Sequence, residues 1–81
     1  MNEDIMYQVS AEVANEAQHL DDGRKILGWI GPNPREFDSN GLTLVKVLYS
    51  FEARLYLDRY ELYIDGDGNY WIRHHEYDTT D

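Results

Sequence analysis

The chain has 81 residues, a formal net charge of −9 and no cysteine. Its length predicts one domain spanning residues 1–81 with a small core, and the missing cysteines exclude disulfides, thiolate zinc sites and cysteine nucleophiles. Sixteen acidic side chains against seven basic ones argue against direct nucleic-acid binding, because phosphate neutralisation needs Lys and Arg.

In chain order, the opening residues MNEDIMYQ are acidic and lack the layout of a signal peptide. No run approaches the roughly 20 apolar residues of a membrane span. The expectation is therefore a cytoplasmic protein with no membrane partner. Ile5, Val9, Val13, Ala17 and Leu20 recur at spacings that predict a helix over residues 3–20, with Gly23 able to end it. The alternative is a short strand at residues 5–9, with Ser10 capping a shorter helix. Residues 25–30 (KILGWI) form an apolar run between Gly23 and Gly31 and predict a strand. Pro32 and Pro34 then break the chain, and residues 38–41 mark a turn. Residues 42–51 (LTLVKVLYSF) predict a central strand, although the length of the segment also allows a helix. The buried parity changes between Leu57 and Leu62, which predicts a bend near Asp58 and Arg59. Residues 60–65 and 69–75 predict a hairpin closed by Asp65-Gly66-Asp67-Gly68, since Asp-Gly supplies the positive φ a tight turn needs. Residues 76–81 read as a frayed acidic tail.

The predicted fold is α+β: an N-terminal helix packed on a small, three- or four-stranded, mainly antiparallel sheet that ends in a β-hairpin. Ile5, Val9, Val13, Leu20, Ile26, Ile30, Val45, Val47, Leu55, Leu62, Ile64 and Ile72 are the expected core.

The charge is unevenly spread. Residues 1–23 carry Glu3, Asp4, Glu12, Glu16, Asp21 and Asp22 and no base; residues 24–73 carry seven acids and seven bases; residues 74–81 add Glu76, Asp78 and Asp81. Such runs often serve solubility alone. Glu12 and Glu16, however, stand one helical turn apart, where like charges repel by a few tenths of a kcal/mol. A departure of that kind from local rules tends to mark function.

Catalytic constellations are lacking. The serines at 10, 39 and 50 have no nucleophile elbow around them, and no Gly-rich phosphate loop is present. The chain is expected to be non-enzymatic and to need no cofactor. His74 and His75 point to opposite faces of any strand and so do not suit one metal. Residues 65–76 resemble an EF-hand calcium loop, with Asp65, Asp67, Asn69 and Glu76 at ligand positions. Tyr70 stands where that loop needs glycine, and strand-like flanks replace helices, so a plain hairpin turn is the stronger expectation. The late aromatics are mostly core, but Tyr56, Tyr63 and Trp71 are candidates for an amphipathic contact surface.

In size, acidity, lack of cysteine and lack of a catalytic motif, and in its base-free segment 1–23, the chain resembles the small acidic inhibitor proteins of phages and mobile elements, among them anti-CRISPR proteins and other DNA mimics. The resemblance implies a non-catalytic inhibitor acting in the cytoplasm of a bacterial or archaeal host. Its partner would be a protein with a basic DNA- or RNA-binding groove, such as a CRISPR effector complex. Glu3, Asp4, Glu12, Glu16, Asp21, Asp22, Glu76 and Asp78 would be the partner-binding residues, standing where phosphates stand. The alternative is an accessory or immunity-type interaction module working through the aromatic sheet face.

Overall fold

The structure, a computed structural model, describes residues 2–21 and 33–79. It is α+β. Strand β1 spans Glu3–Val9, helix α1 Ala11–Gln18, and strands β2 to β5 span Arg35–Glu36, Thr43–Ala53, Tyr56–Ile64 and Tyr70–Asp78. The strands form one antiparallel sheet in the order β2-β1-β5-β4-β3. Five strands replace the three or four expected from the sequence. The predicted strand at residues 25–30, the end signal at Gly23, the core positions Ile26 and Ile30, and the contact residue Asp22 lie outside the described residues.

The helix expected over residues 3–20 is instead a strand followed by a short helix, which was the alternative reading. Spacings of four place Ile5, Val9 and Val13 on one helical face. Four is also two strand periods, so the same residues share one face of a strand and the pattern does not discriminate. Ser10 decides the boundary. Its backbone is extended (φ −70°, ψ 160°), and its hydroxyl oxygen accepts the Val13 N–H at 3.1 Å, an N-cap that satisfies one of the orphan donors of the first turn. At the other end, Lys46 Nζ donates to the Gln18 carbonyl at 2.5 Å, where the helix dipole favours a cation.

Residues 42–51 are indeed extended, but β3 is an edge strand and not a central one. It carries irregularities between Leu44 and Lys46 and between Val47 and Tyr49, of the sort that discourages edge-to-edge pairing. No bend occurs at Asp58 and Arg59, because β4 runs unbroken from Tyr56 to Ile64. Leu57 and Leu62 face opposite sides of this one strand, and Leu55 precedes it in the turn, at φ +65°. The predicted hairpin of β4 and β5 is present. Its positive φ falls on Gly68, at +84°, so the second Asp-Gly pair makes the turn. The expected tail also changes: β5 continues to Asp78.

The core is Tyr7, Ala14, Ala17, Leu48, Tyr60, Leu62 and Ile72, with Val9, Leu20, Tyr49 and Tyr70 packed against it. Of the expected core, Leu62 and Ile72 are fully buried, whereas Val45, Val47 and Leu55 are exposed. An edge strand with bulges cannot hide both of its faces, and a turn residue hides neither.

Candidate functional site

Strand parity sorts the charged residues onto two faces. The face that carries α1 holds Tyr7, Ile72 and Leu62, which lie side by side across three strands. Glu3, Asp58, His74 and Glu76 share that parity and extend the same face beyond the helix. The opposite face holds Asp4, Glu61, Arg59, Arg73 and Trp71, with Arg35 beside Met6 at the sheet edge. The three arginines of the described strands therefore lie on the face away from α1, and Lys46 is the lysine of the described strands, on the helix side.

The opposite face neutralises its own acids. Arg73 donates to both carboxylate oxygens of Asp4, at 2.7 and 2.9 Å, and to Glu61 at 2.9 Å. Arg59 donates to the other oxygen of Glu61 at 2.9 Å, and the Tyr63 hydroxyl donates to Glu61 at 3.1 Å. Phe37 lies 3.9 Å from the Arg73 guanidinium. Hydrogen bonds from Arg73 to Asp4 are the largest cause holding its guanidinium above the usual arginine range. Burial of Glu61, only 5% exposed, is made tolerable by these three donors.

The helix face is different. His74 lies between Glu3 and Asp58, its Nδ1 2.6 Å from Glu3 and its Nε2 2.9 Å from Asp58. The ring stacks on Tyr60 at 4.3 Å. Only the imidazolium donates to both carboxylates, since a neutral ring has one N–H. Glu76 accepts from the Tyr56 hydroxyl at 3.1 Å. Burial and then the Glu3 charge push the Tyr7 phenol up to about 12, and its hydroxyl is buried with no hydrogen-bond partner among the described residues. Burial also raises the Tyr60 phenol, with Tyr7, Asp58, Glu3 and Glu76 adding to it. On the outward stripe of α1, Glu12 and Glu16 are exposed, and Asp21 follows the helix, also exposed. No described cation pairs with any of these three.

The candidate acids thus fall into three places. Glu12, Glu16 and Asp21 stand on and just past the helix. Glu3 and Glu76 lie on the same side of the sheet, with Asp78 at the end of β5. Asp4 is on the opposite face and is spent on Arg73. Asp58, in the helix-face cluster, was not among the residues singled out from sequence; its alternation with Tyr56 and Tyr60 was the available signal. Glu12 needs a further correction. With the helix starting at Ala11, it sits in the first turn, where the dipole favours an anion, so it does not weaken the helix there.

The aromatic candidates do not make one surface. Tyr56 is on the helix face, whereas Tyr63 and Trp71 are cross-strand neighbours on the other. Trp71 is buried and lies under Arg35. The calcium-loop resemblance fails on geometry. Asp65 Oδ1 accepts the N–H groups of Asp67 and Asn69, each at 2.9 Å, and Oδ2 accepts from Asn69 Nδ2 and from Trp71 Nε1 at 3.0 Å. Its carboxyl is held below the usual range, chiefly by the Trp71 hydrogen bond. Glu76 stands well along β5, paired with Glu3 and Asp58 across the sheet. Among the described residues, no group of three or more His, Asp or Glu side chains is placed to hold a metal. No described helix is long and apolar enough to cross a membrane.

No protein-family model matches the chain, and no curated protein or solved structure matches it either.

Proposed function

We propose that the protein is a non-catalytic acidic inhibitor whose helix-bearing face occupies the basic, nucleic-acid-binding groove of a cytoplasmic host defence complex, in the manner of an anti-CRISPR DNA mimic. One observation carries this reading: the fold segregates charge. The strand arginines gather on the face away from α1, where two of them neutralise Asp4 and Glu61. Glu12, Glu16 and Asp21 on the other side meet no described cation, Glu3 and Asp58 share a single imidazole, that of His74, and Glu76 accepts from the Tyr56 hydroxyl. Acids placed only for solubility need no such sorting. Opposite charge speeds encounter, and blocking a groove requires no chemistry.

The contact set is accordingly Glu12, Glu16 and Asp21, with Asp22 outside the described residues, and then Glu3, Asp58, Glu76 and Asp78. An accessory module working through an aromatic face has less support, because Tyr56 is separated from Tyr63 and Trp71 by the sheet itself. The test is competition with duplex DNA for purified CRISPR effector complexes at two ionic strengths. Displacement of DNA that weakens steeply with salt is the expected result. Binding that leaves DNA in place, or is indifferent to salt, overturns the reading.

A further inference from the structure

The opposite face carries one guanidinium with a different environment from the other two. Arg59 and Arg73 are taken by Asp4 and Glu61. Arg35 lies over the Trp71 ring, 4.8 Å from its centroid, and no described carboxylate pairs with it. Three acids, Glu36, Asp38 and Asp65, line a second cleft with it, and none is within ion-pair distance of it. Glu36 pairs with Ile5 on the other parity, Asp38 accepts from the Asn40 N–H at 3.0 Å, and both oxygens of Asp65 are filled by the hairpin turn. Beside Arg35 is a cleft of about 410 Å³ lined by Gln8, Val9, Ser10, Asn33, Arg35 and Trp71. Among the described residues, that lining has no carboxylate. It has one cation, two side-chain amides, and the Ser10 hydroxyl, whose oxygen is already an acceptor for Val13 N–H and whose proton is therefore left to donate.

We propose that this cleft binds a small molecule bearing an oxyanion group, a carboxylate or a phosphate, with Arg35 as the anchoring residue. The contact with Trp71 restrains the guanidinium and occupies none of its N–H donors in an ion pair, which leaves them for a bidentate oxyanion. The Ser10 hydroxyl and the Gln8 and Asn33 amides surround the same space with further donors. The volume lies in the roughly 300–1,000 Å³ range of small-molecule sites. The net charge of −9 does not forbid an anion here, because Glu12, Glu16 and Asp21, which meet no described cation, stand on the helix side of the sheet. This site is independent of the inhibitor reading and stands or falls separately from it.

The test uses Trp29→Phe, which leaves Trp71 as the single tryptophan. Benzoate and inorganic phosphate are titrated against chloride at matched ionic strength while Trp71 emission is followed. A saturable response to either anion, beyond that of chloride, is expected; the anion that gives it identifies the group. Arg35→Gln is expected to weaken it by about tenfold or more, and Arg35→Lys by less, since lysine keeps the charge and loses the fork. Responses no different from chloride, or an unchanged affinity in Arg35→Gln, overturn the proposal. Should Arg35→Gln fail to fold, backbone NMR on the unaltered protein decides. Anion-induced shifts centred on Gln8, Ser10, Asn33 and Arg35 support the site, and shifts centred elsewhere overturn it.

Discussion

Arg73 and Asp4, 69 positions apart in sequence, are joined by two parallel hydrogen bonds of 2.7 and 2.9 Å. The pair ties β5 to β1 and removes Asp4 from the acids available to a partner. Arg73→Met leaves Glu61 buried with less of its charge compensated, and is expected to cost about 3 kcal/mol in urea unfolding. Asp4→Asn, at a more exposed position, is expected to cost about 1 kcal/mol or less. Asp4→Asn is also expected to leave partner affinity unchanged, in contrast to changes on the helix.

The hairpin turn makes a second, sharper prediction about two glycines. Gly68 has φ +84°, and a Cβ there meets no atom within 4 Å. Gly68→Ala therefore suffers backbone strain without a clash and is expected to destabilise by about 1–2 kcal/mol. Gly66, in the same turn, has an ordinary φ and open space around it. Gly66→Ala is expected to be neutral or slightly stabilising, since it restricts the unfolded chain. Paired thermal melts check both, and equal losses at the two positions would show that the turn is assigned wrongly.

Asp65 sets a pH dependence. Its folded carboxyl is held below the ordinary range by the Trp71 hydrogen bond and the backbone N–H groups of Asn69 and Asp67. A depressed folded value contributes stability that is fully present above the unfolded carboxylate range and is lost as pH falls through the folded value. Asp65→Asn is expected to lower Tm at neutral pH and to flatten the acid limb of the Tm–pH profile. A limb of unchanged slope would show that other carboxylates govern it.

His74 links three strands through Glu3 and Asp58. His74→Gln removes the imidazole that bridges them, and is expected to destabilise by about 1 kcal/mol. Adding Asp58→Asn to that background is expected to recover part of the loss, because one of the two facing charges is gone. A double-mutant cycle on urea unfolding reads the coupling, expected at about 0.5–3 kcal/mol; strict additivity would mean the contacts carry no energy.

The sequence is legible where local chemistry is decisive. Two Asp-Gly pairs announce the last hairpin, and the β-branched and aromatic run at residues 42–51 announces a strand. It is ambiguous where a pattern fits two periods. Ile5, Val9 and Val13 satisfy a helix and a strand alike, and Ser10, which separates the two, is a single residue. The site was only partly legible. Glu12 and Glu16 are exposed, as local spacing on the outer side of an amphipathic helix predicts, and Asp21 is exposed just past the helix end. The fate of Asp4 depended on Arg73 near the other end of the chain, and the separation of Tyr56 from Tyr63 on where the chain turns. Neither is encoded within a local window.

The most direct test of the inhibitor reading is plasmid interference by a panel of CRISPR effector complexes, with the wild-type chain compared against the combined variant Glu12→Lys, Glu16→Lys, Asp21→Lys and Asp22→Lys. Reversing Glu12 costs the first helical turn about 0.5 kcal/mol, so folding of the variant is checked by circular dichroism in parallel. The account predicts that the wild-type chain blocks interference by at least one complex and that the folded variant does not. A wild-type chain that blocks none, or a variant that blocks as well as the wild type, would contradict it.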